Sequence, residues 1–290
     1  MLERAVQALT STGTLPGSYD LITVVYKNEV AMLPVQARSI VQYCTDTPQT
    51  IYIVVNDLDF VADYINPAWW EHHNVEIITR DQLGVPDYGE GWDSQQLCKL
   101  VCGMHSTSKY TVVLDAKTWF IKPFSYTTFI TPQVNVGLQT IQPVFQECWD
   151  WLCEYFDIDS QQQPGPAGVP YIFETQMLHN LKDYIESREQ RSFVDWYCEH
   201  SLYPHLITEF LLYASFVYYT NQYKHYTTTN NWKPINIARG EHTVFEDKIQ
   251  QMQHPDTLTV SIHRDVFDNL SGEQLLAWQQ LLQTKMLIDW

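Results

Sequence analysis

Apolar runs alternate with amphipathic stretches along the first half of the chain. A continuous apolar run at 21–26, which is typical of a buried parallel strand, predicts the first strand, and further strands are predicted at 50–55, 75–79, 110–115 and 134–138. Helical spacing predicts helices at 32–43, near 59–64, and from a cap at Asp93 or Ser94 to Met104. This alternation predicts a doubly wound α/β sheet with right-handed crossovers, whose loops gather at one edge.

The second half of the chain is predicted to contain mainly helices. Apolar periodicity predicts them at 143–156, 175–187 and 206–219. We also expect an extended segment at 169–173, a last strand at 257–263, and a closing helix that opens with a capping box at 271–274. Residues 159–168 are rich in Gly, Pro and Gln and predict a loop, a lid or the edge of a subdomain. A chain of 290 residues is expected to form one large domain over 1–290.

Composition and charge narrow the classes of function. Hydrophobic residues make up 45% of the chain and aromatic residues 14%, which excludes intrinsic disorder. The 17 Lys and Arg residues face 34 Asp and Glu residues, and the net charge of -17 disfavours binding to nucleic acid or anionic membranes. A small phosphorylated ligand remains compatible, because it needs only a few local cations.

The six cysteines form no CxxC pair, and Cys98 and Cys102 are expected to be buried small hydrophobes. No run approaches the roughly 20 apolar residues of a membrane span. We therefore expect a reduced, cytoplasmic protein.

Candidate chemistry centres on the end of the predicted strand 110–115. Asp115 is its last residue, and Lys117 follows two positions later. Open α/β sheets bind ligands at the carboxyl ends of their strands, so an acid in this position is a candidate for chemistry. A turn role is an equally good interpretation of this segment taken alone.

The order of the motifs resembles the nucleotide-diphosphosugar glycosyltransferases of the GT-A fold. Within that group the sequence is similar to a little-characterised bacterial and phage family marked by GW..QQ..K and LD(S/A)K motifs. The resemblance runs from about Tyr19 to His263. The matching residues are Gly91-Trp92, Gln95-Gln96, Lys99, Leu114-Asp115-Ala116-Lys117 and Thr208 to Tyr213.

This resemblance implies a Rossmann-like mixed sheet flanked by helices, with a helical C-terminal elaboration. Residues 18–140 would form the nucleotide-binding half, and 141–290 the acceptor-side and closing half. The implied donor is a nucleotide-diphosphosugar. The implied acceptor is a carbohydrate or another hydroxyl-bearing molecule, with a modified base as one candidate.

The acidic motif departs from the usual pattern of the GT-A group. Most members have Asp-any-Asp, whereas this chain has Asp115-Ala-Lys117. Two outcomes stay open: Asp115 and His263 hold Mn²⁺ or Mg²⁺, or Lys99 and Lys117 neutralise the diphosphate without metal. The family analogy favours the metal.

The resemblance also implies binding roles for polar residues. Lys99 would contact the sugar or diphosphate, although a solvated helix face is the alternative, and Gln95 and Gln96 would bind sugar hydroxyls. Thr23, Tyr26 and Asn56, at strand ends, would meet the base and ribose.

Glu209 is the candidate base. It lies in an apolar helix, where an unpartnered carboxylate would be costly, so it is expected to face a cleft and to take the proton of the acceptor. A retaining reaction would need no such base. Asp57 and Glu174 are the next candidates. Trp92 and Trp119 could stack on a sugar, with core packing as the alternative.

Two other classes of function are alternatives to a glycosyltransferase. A sugar nucleotidyltransferase would carry an early glycine-rich basic loop, and 22–33 contains no glycine. A catalytically degenerate carbohydrate- or nucleotide-binding or scaffold protein is the main alternative, and turnover would distinguish it from an enzyme.

Overall fold

The computed structural model describes residues 18–56, 62–89, 91–130, 134–137, 143–159, 168–202, 207–229, 232–285 and 287. In chain order the strands are β1 (Tyr19–Val25), β2 (Ile51–Val55), β3 (Val75–Thr79), β4 (Tyr110–Asp115), β5 (Thr118–Phe120), β6 (Val134–Gly137), β7 (Tyr171–Glu174), β8 (Tyr226–Thr229), β9 (Lys233–Ile237) and β10 (Thr257–Ile262). The α-helices are α1 (Leu33–Tyr43), α2 (Gly91–His105), α3 (Tyr126–Phe129), α4 (Gln146–Phe156), α5 (Thr175–Glu189), α6 (Phe193–His200), α7 (Glu209–Tyr219), α8 (Phe245–Met252), α9 (Arg264–Phe267) and α10 (Gly272–Thr284).

A five-stranded mixed sheet forms the centre of the fold. Its strand order is β3-β2-β1-β4-β7, with the first four strands parallel and β7 antiparallel to β4. The chain leaves β1 for β2 on one side, and β4 lies on the other side of β1. The carboxyl ends of β1 and β4 therefore form the switch point where α/β sheets bind ligands.

Alternating residues of β1 supply the two faces of this sheet. Ile22 and Val24 pack with α2 and α4 to α7, whereas Leu21 and Val25 pack on the opposite face with α1. All seven residues of β1 are buried, as a central parallel strand covered on both faces requires. The predicted mixed sheet flanked by helices is confirmed.

A small second sheet brings distant segments to the end of β4. Its order is β5-β10-β9, with β10 antiparallel to β5 and parallel to β9. Trp119 and Trp278 pack with their ring centroids 5.4 Å apart in the core between this sheet and α10. Since β5 follows Lys117 and β10 precedes His263, this sheet places both residues beside Asp115.

Several element boundaries differ from the sequence prediction. Helix α2 begins at Gly91, so Asp93 and Ser94 lie inside it and are buried, not at its cap. Residues 27–32 form a 3-10 helix before α1, and 143–145 form one before α4. Elements that the pattern did not predict are β5, β8, β9, α3, α6, α8 and α9.

Other boundaries shift at the ends of predicted elements. Helix α7 begins at Glu209, with the Thr208 hydroxyl accepting from the Leu211 amide, and β10 ends at Ile262, so that His263 caps α9. The helix predicted near 59–64 is described only in part: residues 62–64 form a 3-10 turn, and 59–61 lie outside the described residues. Most of the loop predicted at 159–168 and residue 138 of the strand predicted at 134–138 also lie outside them.

Cys98 and Cys102 are buried free thiols, as expected. Among the described residues, no helix is long and apolar enough to cross a membrane.

Candidate functional site

A cleft with a volume of about 240 Å³ opens at the carboxyl edge of the central sheet. The end of β4, the ends of β9 and β10, one face of α2, the first turn of α7 and the turns before α4 and β7 form its walls. The cleft therefore lies at the switch point. Its lining includes Trp92, Lys99, Asp115, Lys117, Glu209 and His263, all of which the sequence singled out.

The Lys99 ammonium is shared by two carboxylates on the cleft floor. Its Nζ lies 2.9 Å from Oδ1 of Asp115 and 3.0 Å from Oε1 of Glu209, and 5.1 Å from the centre of the Phe210 ring. The residue is 5% exposed, so the predicted solvated-face alternative is wrong. Because both carboxylates engage this ammonium, Lys99 acts as a link that fixes Asp115 relative to Glu209.

The two acids that share Lys99 have pKa values shifted in opposite directions. Burial would raise the pKa of Asp115, but Lys99 and Lys117 outweigh burial and hold that pKa well below its usual range. Burial raises the pKa of Glu209, and Lys99 offsets this effect in part. The pKa of Lys99 itself is raised, because Asp115 and Glu209 outweigh its burial. Asp115 is therefore a fixed anion, whereas Glu209 is the acid best suited to accept a proton.

Lys117 is held by a second acid that the sequence did not single out. Its Nζ lies 3.6 Å from Oδ2 of Asp115 and 3.7 Å from Oε1 of Glu29, and its side chain is 22% exposed. Burial raises the pKa of Glu29, and Lys117 counteracts this in part. Glu29 lies in the 3-10 helix after β1, and no strand-end pattern marks it in the sequence.

A buried glutamine fixes the turn that carries Asp115 and Lys117. Nε2 of Gln36 donates to the carbonyl oxygens of Asp115 at 2.7 Å and of Thr118 at 3.0 Å. Its Oε1 accepts from the Thr23 hydroxyl at 2.9 Å. Thr23 is fully buried in this chain of hydrogen bonds, so it supports the turn from behind, away from the cleft.

His263 and Arg239 complete the cleft on the side of β9 and β10. Nδ1 of His263 accepts from the Asp265 amide at 3.1 Å, and burial together with Lys117 lowers the pKa of His263. A neutral ring whose Nδ1 accepts carries its proton on Nε2, which makes Nε2 a hydrogen-bond donor. Arg239, also absent from the sequence prediction, has a side chain that is 79% exposed and lies 3.8 Å from Asp265.

The two glutamines and Asn56 are interior residues that order α2. Oε1 of Gln96 accepts from the Glu209 amide at 3.3 Å, which joins α2 to the first residue of α7. Gln95 reaches the carbonyl of Val24 at 3.5 Å. Asn56 donates to the carbonyl of Gly91 and to the Ser94 hydroxyl. The structure therefore gives these three side chains supporting contacts.

Tyr26 packs against the start of α2. A Cβ placed on Gly91 would lie 1.0 Å from the Tyr26 hydroxyl oxygen and 1.9 Å from its Cζ. The glycine of the GW motif thus leaves the space that the tyrosine ring fills.

The remaining candidates lie in different surroundings. Trp92 is 46% exposed and stacks on Phe145 in the cleft wall, whereas Trp119 is buried in the core of the small sheet. Glu174 pairs with Tyr110, the first residue of β4. Since β7 is antiparallel, Glu174 lies at the opposite edge of the sheet from Asp115. Asp57 falls outside the described residues.

A family model described as a family of unknown function, DUF6492, matches residues 21–268. The chain belongs to this family. No curated protein matches the sequence. The DUF6492 chain is similar in structure to the galactosyltransferase LgtC in complex with donor and acceptor sugar analogues, with a TM-score of 0.51 and 12% sequence identity over 91% of this chain and 95% of that chain. An active-site mutant of LgtC matches over the same shares of both chains, with a TM-score of 0.51 and 11% identity. At this identity the similarity shows the fold, which is that of GT-A glycosyltransferases.

The donor set at the end of β4 in this DUF6492 chain does not fit a divalent cation. Both oxygens of Asp115 face ammonium groups, at 2.9 and 3.6 Å. The hydrogen bond from Asp265 uses the lone pair of Nδ1 and leaves Nε2 of His263 protonated. Within the described ranges, no group of three or more His, Cys, Asp or Glu residues could hold a metal. The Asp115 carboxylate is therefore already paired with two ammonium groups, and His263 presents a donor at Nε2, so the predicted Asp115 and His263 pair does not suit a divalent cation.

Proposed function

We propose that this protein is a glycosyltransferase that moves a sugar from a nucleotide-diphosphosugar to a hydroxyl group of an acceptor. The observation that carries the proposal is the Lys99 ammonium, held between Asp115 and Glu209 on the floor of a cleft at the switch point of a GT-A sheet. This arrangement supports a fixed anion and a proton acceptor side by side, with the partly exposed Lys117 and the exposed Arg239 nearby.

The leaving diphosphate is neutralised by Lys117 and Arg239. Both side chains line the cleft, and they bring local positive charge into a chain whose net charge is -17. Growing negative charge on a leaving group is stabilised by cations fixed in advance. Glu29 and Asp115 hold Lys117 from behind, and the Nε2 proton of His263 is a further donor. Of the two outcomes left open by the sequence, the donor set of Asp115 favours cationic side chains.

Glu209 accepts the proton of the acceptor hydroxyl. The hydroxyl oxygen forms a bond to the anomeric carbon, the bond from that carbon to the diphosphate oxygen breaks, and the proton passes to the carboxylate. The nucleoside diphosphate leaves with the electron pair of the broken bond. The raised pKa of Glu209 suits this role, because it makes the carboxylate a better base. A retaining reaction would instead use Glu209 to orient the donor.

The test is a turnover assay that measures the release of nucleoside diphosphate. Purified full-length protein is incubated with UDP-, GDP- and ADP-linked sugars, in EDTA and in Mn²⁺, with and without a mixture of simple glycosides. We expect one donor to be turned over. Glu209→Gln should lower that rate by at least about a hundredfold, in line with the loss of a general base, while donor affinity stays within a few-fold.

A wild-type protein that binds a sugar nucleotide but never releases the diphosphate would contradict the proposal. That result would support the alternative of a degenerate nucleotide- or carbohydrate-binding protein.

A further inference from the structure

Two stacked rings form one wall of the cleft. The ring centroids of Trp92 and Phe145 are 6.3 Å apart, and the planes are inclined by 17°. We call these two residues the aromatic wall. Trp92 comes from the first turn of α2 and Phe145 from the 3-10 turn before α4, and both line the same cleft as Lys99 and Glu209.

The helix separates Trp92 from Lys99, the partner of Glu209, by about two turns. Trp92 and Lys99 are seven residues apart in α2, which is close to two turns, so they share one face of the helix about 10 Å apart along its axis. Both side chains lean toward the N-terminus of α2 and therefore keep this separation. Since Nζ of Lys99 lies 3.0 Å from Glu209, the carboxylate lies in the same cleft as the aromatic wall and further along α2.

The charges of the described lining residues divide the cleft. The lining residues from α2, from the turns before α4 and β7, and from the start of α7 are uncharged apart from the paired Lys99 and Glu209. We call Lys117 and Arg239, on the side of β5 and β9, the cationic wall. An anionic diphosphate fits the cationic wall, whereas an uncharged ring fits the aromatic wall.

We propose that the aromatic wall is the acceptor subsite and that the acceptor is an uncharged sugar ring. This inference rests on the proposed function. The C–H face of a pyranose ring lies flat on the exposed face of Trp92, since the negative face of an aromatic ring attracts partly positive C–H groups. One ring hydroxyl then points toward Glu209.

A nucleobase is the competing occupant, because bases also stack on aromatic rings. With its diphosphate on the cationic wall and its base on the aromatic wall, a donor would lie across Glu209. The proton acceptor would then be covered by the donor and out of reach of an acceptor hydroxyl. A sugar on the aromatic wall leaves Glu209 between the two substrates. The net charge of -17 further disfavours an acidic acceptor.

Saturation-transfer NMR and calorimetry on full-length protein test the inference. The probes are the methyl α- and β-glycosides of glucose, galactose, mannose and xylose, each measured with and without the nucleoside diphosphate that binds. The variants are Trp92→Ala and Trp92→Phe. Tyr64→Ala is the matched control, because Tyr64 is an exposed aromatic residue that does not line the cleft. Circular dichroism checks that each variant is folded.

We expect at least one glycoside to bind wild type about tenfold more tightly than Trp92→Ala. The affinity of Trp92→Phe for this glycoside should lie between those of wild type and Trp92→Ala, and Tyr64→Ala should bind it as wild type does. All variants should bind the nucleoside diphosphate with an affinity within twofold of that of wild type. Three results would overturn the inference: no glycoside binds wild type, glycoside binding survives Trp92→Ala, or Trp92→Ala weakens the nucleoside diphosphate instead. The proposed function fails separately, if wild type binds no nucleoside diphosphate.

Discussion

Lys99 and Lys117 both face Asp115, but their surroundings give them different roles. Lys99 is almost fully buried between two acids, whereas Lys117 is partly exposed in the cleft. Removing one member of a buried ion pair leaves an uncompensated charge and is strongly destabilising. Removing a partly exposed partner has a small effect on stability.

Lys99→Met should therefore lower the free energy of unfolding by about 3–5 kcal/mol. Lys117→Met should change it by less than about 1 kcal/mol while it weakens donor binding. Urea denaturation, followed by far-UV circular dichroism, measures both values. Equal stability losses in the two variants would contradict this division of roles.

The proposed role of Glu209 as proton acceptor predicts a pH dependence of the activity. Its folded-state pKa is raised by burial above the ordinary value of 4.5. Below its folded-state pKa the residue is protonated and cannot accept a proton, so the rate should rise with pH through a midpoint above 4.5. The dependence of kcat/KM on pH, measured at acidic pH, gives this midpoint. In Glu209→Gln the decrease of kcat/KM at acidic pH should disappear, together with most of the activity. If kcat/KM of Glu209→Gln still decreased at acidic pH with the same midpoint, another group would be responsible for the pH dependence.

At the residue scale, the sequence contained the candidates but not their pairings. Asp115 could be found because it ends an apolar run, and Glu209 because it interrupts an apolar helix. Both acids contact Lys99, and Lys99 and Glu209 are 110 positions apart in the sequence. Such contacts depend on tertiary packing. Glu29 and Arg239 lie in turns, where a single charged residue carries no pattern. The roles of all these residues stay predictions.

Among the elements, α2 depends on an unusual contact at its first residue. The ring of Tyr26, just after β1, occupies the space where Gly91 lacks a side chain. This contact sets where α2 begins relative to β1, and α2 carries both Trp92 and Lys99 into the cleft.

Gly91→Ala should therefore displace Tyr26 and lower the free energy of unfolding by about 1–3 kcal/mol, as overpacking does. In a double-mutant cycle, Gly91→Ala should cost much less stability in the Tyr26→Ala background than in wild type, because the clash between the two side chains is then absent. Gly272→Ala is the matched control, since a Cβ there meets nothing within 4 Å. Thermal unfolding measures the cycle, and additive losses at Gly91 and Tyr26 would contradict the contact.

The elements that the sequence predicted are those with strong local patterns. The strands β1 to β4 are mainly apolar and β-branched, and α7 is nearly all apolar. By contrast, β5 has three residues, and β9 begins with Lys233-Pro234, which reads as an edge or a turn. Both form strands because β10 pairs with them, and such pairing is not visible in a single segment.

On the scale of the whole molecule, the apolar clusters join both halves of the sequence. The cluster under α1 contains Leu21 together with Trp232 and Leu258. The cluster of the small sheet joins Met32 and Trp119 to Trp278. Residues before and after position 140 therefore share their cores, which supports the proposal of one domain.

We accordingly expect a single cooperative unfolding transition. Far-UV circular dichroism and tryptophan fluorescence should give coincident urea curves, because no half can lose its packing alone. Two separate transitions would show that the halves 18–140 and 141–290 fold independently.

The central claim is that the cleft binds a nucleoside diphosphate through its own cations. Calorimetry with UDP and GDP, in EDTA and in Mn²⁺, on wild type and Lys117→Met tests it most directly. We predict binding in EDTA within about threefold of that in Mn²⁺, and a loss of about tenfold or more in Lys117→Met. Binding that requires Mn²⁺, or no binding of either diphosphate under both conditions, would contradict the account.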